Sequence, residues 1–230
     1  MKKITIYSEL VYVMAMLIIT LSVAMCTAAD FGVSMIVAPA YILHLKFSFL
    51  TFGQAEYIVQ GLLFVLFCII MKSFRFTYFG SFITALIYGA VLDLWRMIIP
   101  ALNPSVTPAG SMPMAVRVAL FAASMVLTSF SVSLFFRTYL HPEVYEMFVS
   151  AIADRYNLNT SKFKYIFDFT CLAVSVVMTL VFFRRIEGIG IGTVVICVVN
   201  GFLIDMFGKI MDKYVTIKPL FPKFKEFCRY

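Results

Sequence analysis

A few polar side chains fall where the sequence is otherwise apolar, and their types suit ion or proton binding. Asp93 and Asp205 each close a stripe of small residues spaced by four, Ser81-Ala85-Gly89-Asp93 and Thr193-Cys197-Gly201-Asp205. That spacing holds the stripe on one slowly drifting helix face. Gln60 and Asp168 sit about one turn inside the second and fifth spans, Asn200 adjoins Gly201, and Asp30 directly follows the first run. An ionisable group within a membrane span is expensive and is a functional candidate by default. The candidate substrate- or ion-binding residues are therefore Asp30, Gln60, Asp93, Asp168, Thr193, Asn200 and Asp205. The competing structural reading makes the stripes helix–helix seams, since small residues let backbones approach closely in lipid. It also gives Asp168 a hydrogen bond to Thr193, Asn200 or a neighbouring basic side chain.

Bond-making chemistry is poorly served. Gly32-Val33-Ser34 resembles a serine nucleophile's setting, but the two histidines, His44 and His141, lie outside the apolar runs, where neither can act as its base. There is no His-Glu-x-x-His and no Cys/His cluster of ligand spacing. The five cysteines form no paired pattern and read as small hydrophobes. No enzyme activity, cofactor or metal is expected. The run Glu187-Gly188-Ile189-Gly190-Ile191-Gly192-Thr193 has neither the dinucleotide nor the P-loop spacing. It reads as a tight turn beside Arg184 and Arg185, with an anion-binding helix N-terminus as the alternative.

The elements that must position these residues follow from composition. Of 230 residues, 62% are hydrophobic and 13% charged, with a mean hydropathy of +0.96, whereas a soluble domain is roughly a quarter charged. The excess apolar surface must face lipid. Apolar runs centre on Leu10 to Ala29, Tyr57 to Met71, Phe76 to Leu92, Val118 to Phe136, Phe169 to Phe183 and Gly188 to Ile204. The shorter runs extend through uncharged neighbours, or through a single acid such as Asp168, toward the ~20 residues a crossing helix needs. Continuous runs argue against a β-barrel, whose strands alternate. The first run exceeds the ~7–15 apolar residues of a signal peptide, so we expect it to be retained as a span.

With a cytoplasmic N-terminus, 14 of the 19 basic residues fall inside and five outside, namely Lys46, Arg96, Arg117, Arg184 and Arg185. That bias puts both termini in the cytoplasm. It also accounts for the net charge of +7 without a nucleic-acid partner. The basic tail from Lys209 to Arg229, interleaved with Phe221, Phe224 and Phe227, is read as part of this bias, with contact to anionic headgroups as the alternative.

The chain repeats itself. Gly80, Ser81, Ala85, Gly89 and Asp93 recur as Gly192, Thr193, Cys197, Gly201 and Asp205 at an offset of 112. Leu50-Thr51, Tyr57-Ile58 and Gln60 recur as Leu158-Asn159, Tyr165-Ile166 and Asp168 at an offset of 108. Pro39 finds Pro142. The halves are residues 1–110 and 111–230, one membrane domain in all. Three spans per half is an odd number, so the repeats are inverted, as in many secondary transporters. A short segment from Met35 to Leu45 follows the first span, either re-entrant or interfacial. Its counterpart, Pro142 to Arg155, is amphipathic and is expected to lie on the cytoplasmic surface.

Asp30-Phe31-Gly32-Val33-Ser34, Pro39-Ala40-Tyr41-Ile42-Leu43, Leu50-Thr51-Phe52-Gly53 and Tyr88-Gly89-Ala90-Val91-Leu92-Asp93-Leu94-Trp95 together resemble the YczE/YitT-type bacterial integral membrane proteins. Tyr165-Ile166-Phe167-Asp168 and Gly190-Ile191-Gly192-Thr193 with Asn200-Gly201 are similar to that family's second half. Val33-Ser34-Met35 stands where the family usually shows Ser-Pro. The resemblance implies a bacterial cytoplasmic-membrane protein of six helices and names no substrate.

The combined expectation is an all-α integral membrane protein of six transmembrane helices in two inverted three-helix repeats, with a re-entrant or interfacial segment after helices one and four. Its expected role is a small transporter moving a small solute or ion by alternating access, with the lipid bilayer and a homodimer among its partners. The alternative is a non-transporting membrane subunit or chaperone that packs against a partner.

Overall fold

The structure, a computed structural model, describes residues 4–72, 76–140 and 143–221. Among the described residues, six helices are long and apolar enough to cross a membrane. They are α1 (Ser8–Ala29), α3 (Phe52–Met71), α4 (Phe76–Ile98), α5 (Met114–Phe135), α7 (Thr160–Phe183) and α8 (Ile191–Tyr214). Two short helices, α2 (Ala38–Lys46) and α6 (Val144–Arg155), follow the first and fourth spans. The protein is an all-α membrane protein. Its only described strands are β1 (Ile4–Tyr7) and β2 (Val215–Lys218), which pair in parallel from Ile4↔Val215 to Tyr7↔Lys218.

Helix ends obey local rules. The Thr51 hydroxyl accepts from the Gln54 amide while the Gln54 side chain accepts from the Thr51 amide, a capping box that starts α3. Asn159 caps α7. Pro39 lies in the first turn of α2, where its missing N–H costs nothing. Asp30, Lys72 and Arg184 end α1, α3 and α7 in the left-handed conformation.

The chain forms two compact units interleaved along the sequence. The first takes residues 1–30, 95–140 and 194–230. Its centre is the α1–α5 pair, where small side chains let the backbones approach and hydroxyls supply the glue lipid cannot. Ser131 donates to the Ala15 carbonyl at 2.6 Å and Ser22 to the Ser124 carbonyl at 3.1 Å. Arg117 caps α1 by donating to the Ala29 and Asp30 carbonyls at 2.9 and 3.2 Å. Arg137 grips Asp212 with two bonds of 2.7 Å. Beside the strand pair, the Glu9 carboxylate accepts the Leu220 and Phe221 amides and the Tyr139 hydroxyl. Of the basic tail, Lys209 and Lys213 lie on α8 and Lys218 on β2. Lys223, Phe224, Lys225, Phe227, Cys228 and Arg229 lie outside the described residues, as do His141 and Pro142.

The second unit takes residues 31–94 and 141–193. Each short helix packs against spans of both sequence halves: α2 against α3 and α7, and α6 against the same two. Lys46 at the end of α2 donates to the Phe182 carbonyl at 3.2 Å, in the last turn of α7. Arg155 and Tyr156 at the end of α6 donate to the Met71 and Ile70 carbonyls at the end of α3. The other end of α6 meets α3 at Gln60, so α6 runs alongside the C-terminal half of that span. This corrects the expected surface helix. Val144, Tyr145, Met147, Phe148, Val149, Ile152 and Ala153 are all buried, more of the circumference than one amphipathic face covers. Phe148 stacks on Phe167 of α7 with ring centres 5.2 Å apart, and Phe67 of α3 meets Tyr78 of α4 edge-on at 4.9 Å.

The glycine-rich run is a tight turn held by backbone. The Gly192 amide donates to the Phe31 carbonyl at 2.8 Å and the Val33 amide to the Gly188 carbonyl at 3.2 Å. With the Thr193 amide given to the Gly190 carbonyl at 3.0 Å, two of the amides an anion would need at the start of α8 are spent within the protein. Gly32 has φ +104° there, and a Cβ on it would come within 2.5 Å of the Gly190 nitrogen.

Candidate functional site

The capping box sets the phase of α3, and that phase turns Glu56 and Gln60, one turn apart, toward α6. Both are fully buried. Gln60 Nε2 donates to Glu56 Oε2 at 3.3 Å and to Glu143 Oε2 at 3.4 Å, so one amide bridges two carboxylates. The Tyr145 hydroxyl also donates to Glu56 Oε2, at 3.0 Å. Glu56 Oε1 and Gln60 Oε1 are buried without a hydrogen-bond partner among the described residues.

One turn further along α6, Glu146 accepts from Lys164 of α7 at 2.9 Å, and Lys164 lies 3.9 Å from Asp168. Asp168 Oδ1 and, two turns on, Ser175 Oγ are buried without hydrogen-bond partners. Lys164 is thus shared between two acids. Among the described residues, no basic side chain pairs with Glu56 or Glu143. Leaving a buried carboxylate unpaired is costly. Burial and the nearby charges of Glu56 and Glu146 push Glu143 up to about 8, against a smaller pull downward from Gln60. Burial, together with the nearby Glu56 and Glu143, raises Tyr145 well above its ordinary value.

The expected site residues distribute as follows. Gln60 and Asp168 border this cluster from α3 and α7, linked through α6, and Asp168 finds the basic neighbour expected of it. Thr193, buried in the same unit, accepts from the Gly190 amide at 3.4 Å. Asp93 accepts the Thr51 hydroxyl and, at 2.9 Å, the Gly53 amide, which makes it a cap on α3. Removing it as Asp93→Ala loses two bonds to a charged acceptor, each worth about 1.5–3 kcal/mol. The thermal midpoint of the purified variant should fall by several degrees. Asp30, Asn200 and Asp205 belong to the other unit. Asp30 is exposed beside Arg117 at 3.5 Å, Asn200 accepts from Ser129 at 2.5 Å, and exposed Asp205 pairs with Lys209 at 2.6 Å.

Glu56, Glu143, Tyr145, Glu146 and Lys164 were not among the candidates read from sequence. One signal was available: Glu56 and Lys164 stand 108 residues apart, the offset that pairs Gln60 with Asp168. Both repeats therefore carry two polar residues one turn apart at the same place.

A family of unknown function, DUF6198, matches residues 6–209, nearly the whole chain. The chain belongs to that family. No curated protein and no solved structure matches it. Membership thus leaves the site to be read from its own geometry.

Proposed function

We propose that this protein is an inverted-repeat membrane transporter that moves a small solute or ion by alternating access, with the α3–α6–α7 cluster as its binding site. The observation that carries the reading is a set of buried oxygens without hydrogen-bond partners among the described residues, Glu56 Oε1, Gln60 Oε1, Ser175 Oγ and Asp168 Oδ1, the last with only the 3.9 Å approach of Lys164. All lie on α3 and α7, helices at matching positions of the two sequence halves. Buried polar atoms are normally satisfied, and exceptions call for a partner such as a bound ion, a water or a substrate. The order span, short helix, span, span occurs twice, and the exchange of α2 and α6 between spans of opposite halves is what a two-fold related pair of repeats would produce. In the same reading the protein is a YczE/YitT-type relative in a bacterial cytoplasmic membrane with both termini inside.

Thermal-shift screening of the detergent-purified protein against metabolites and ions tests this. A stabilising compound should lose its effect in Gln60→Leu and Asp168→Asn and keep it in Asp205→Asn. It should also be taken up by proteoliposomes. Stabilisation that survives both substitutions in the second unit contradicts the assignment.

A further inference from the structure

Resting on the transport reading, we infer that the ion this site binds is the proton, carried on Glu143 and exchanged against the carboxylate of Glu56. Glu56 accepts two hydrogen bonds, from Gln60 and Tyr145, which suit a carboxylate. Among the described residues Glu143 accepts only the longer bond from Gln60, and its side chain makes no cap bond at the start of α6. Glu143 stands at the start of α6 and is half-buried as a residue, where Glu56 is fully buried within α3. Two negative charges bridged by one amide and matched by no cation among the described residues are relieved by a single proton.

A metal cation fits less well. The position between the carboxylates is taken by the Gln60 N–H donors, and a second donor, the Tyr145 hydroxyl, points at Glu56. Among the described residues no group of three or more His, Cys, Asp or Glu could hold a metal.

The surroundings on every packed element favour one exchangeable proton. From α6 come Tyr145 and Glu146, and from α7 come Lys164 and Asp168, which with Glu146 form their own set. From α4 comes buried Tyr88, and from α2 come Tyr41 and His44, packed on Phe52 one turn before Glu56. Lys164 is engaged, so it leaves the Glu56–Glu143 pair uncompensated. Gln60, itself fully buried, keeps one oxygen without a partner beside the pair.

Infrared difference spectroscopy of the protein in lipid films, stepped through pH, reads the proton without any transport. The carboxyl C=O band of a protonated acid should vanish as the pH is raised through about 8. It should be missing in Glu143→Gln. In Glu56→Gln its midpoint should move down by about one pH unit as the neighbouring charge goes. Glu143→Asp keeps a titrating carboxyl and should show the band with a displaced midpoint, so a Gln variant that does not fold still leaves a decisive comparison. A band unchanged by every Glu143 substitution, or no titrating band in the wild type, overturns the inference. Loss of the band on adding sodium chloride at fixed pH overturns it in favour of a metal cation. If the titration is found and no solute is transported, the transport reading falls and the proton site stands.

Discussion

The thermal midpoint of the wild-type protein should fall as the pH is raised from about 4.5 to about 8, and Glu143→Gln should remove most of that fall. Unfolded, the Glu143 carboxyl loses its proton near 4.5, whereas folded it holds the proton up to about 8. Between those values the native state binds more protons than the unfolded state, so stability declines as pH rises. The contribution is fully present below 4.5 and is gone above 8. A few degrees across the window is the expected size. The glutamine variant keeps the shape and a partner for Gln60 but cannot ionise. It should match the wild type in acid and exceed it above pH 8. A wild-type midpoint that rises steadily over the same window contradicts the environment assigned to Glu143.

Gly53→Val should be the most damaging single substitution in the second unit. A Cβ on Gly53 would lie 2.2 Å from the Gly89 carbonyl oxygen and 2.6 Å from Asp93 Oδ2, and one on Gly89 would lie 2.4 Å from the Tyr57 ring. The first obstacle is backbone, so α3 and α4 must separate. Separation removes the Asp93 cap from α3 and disturbs the face that carries Glu56 and Gln60. Forced overpacking together with a lost cap belongs with the rare changes that cost more than about 4 kcal/mol. We expect no monodisperse protein from Gly53→Val on gel filtration. Two controls should behave normally. A Cβ on Gly61 would sit 3.6 Å from Phe82, an ordinary contact, and one on Gly201 would meet nothing within 4 Å. Gly61→Ala and Gly201→Ala should therefore purify like the wild type.

The two small-residue stripes read as equals in sequence and are unequal in the fold. Gly89 is pressed against α3, whereas Gly201 faces open space among the described residues. Their terminal acids differ likewise, Asp93 capping a helix and Asp205 exposed beside Lys209. Helix periodicity reports which residues share a face, but it does not report which neighbour that face meets.

The six spans were legible because lipid demands long apolar runs, and Gln60 and Asp168 because a polar group there is conspicuous. Glu56 is inconspicuous because it stands just outside the apolar run that starts at Tyr57. Glu143 and Glu146 escaped because a polar twelve-residue helix reads as interfacial until its tertiary packing is known. The β1–β2 pair joins four-residue segments more than 200 residues apart, too short for periodicity to announce.

Alternating access through the second unit can be read at Gln60, which is now fully buried. In a background with Cys26, Cys68, Cys171, Cys197 and Cys228 replaced, Gln60→Cys is exposed to a membrane-impermeant thiol reagent in right-side-out and in inside-out vesicles. A site that opens in turn to each face predicts modification from both sides. Modification from one side only, or from neither, would contradict alternating access and leave a membrane subunit that acts by helix packing.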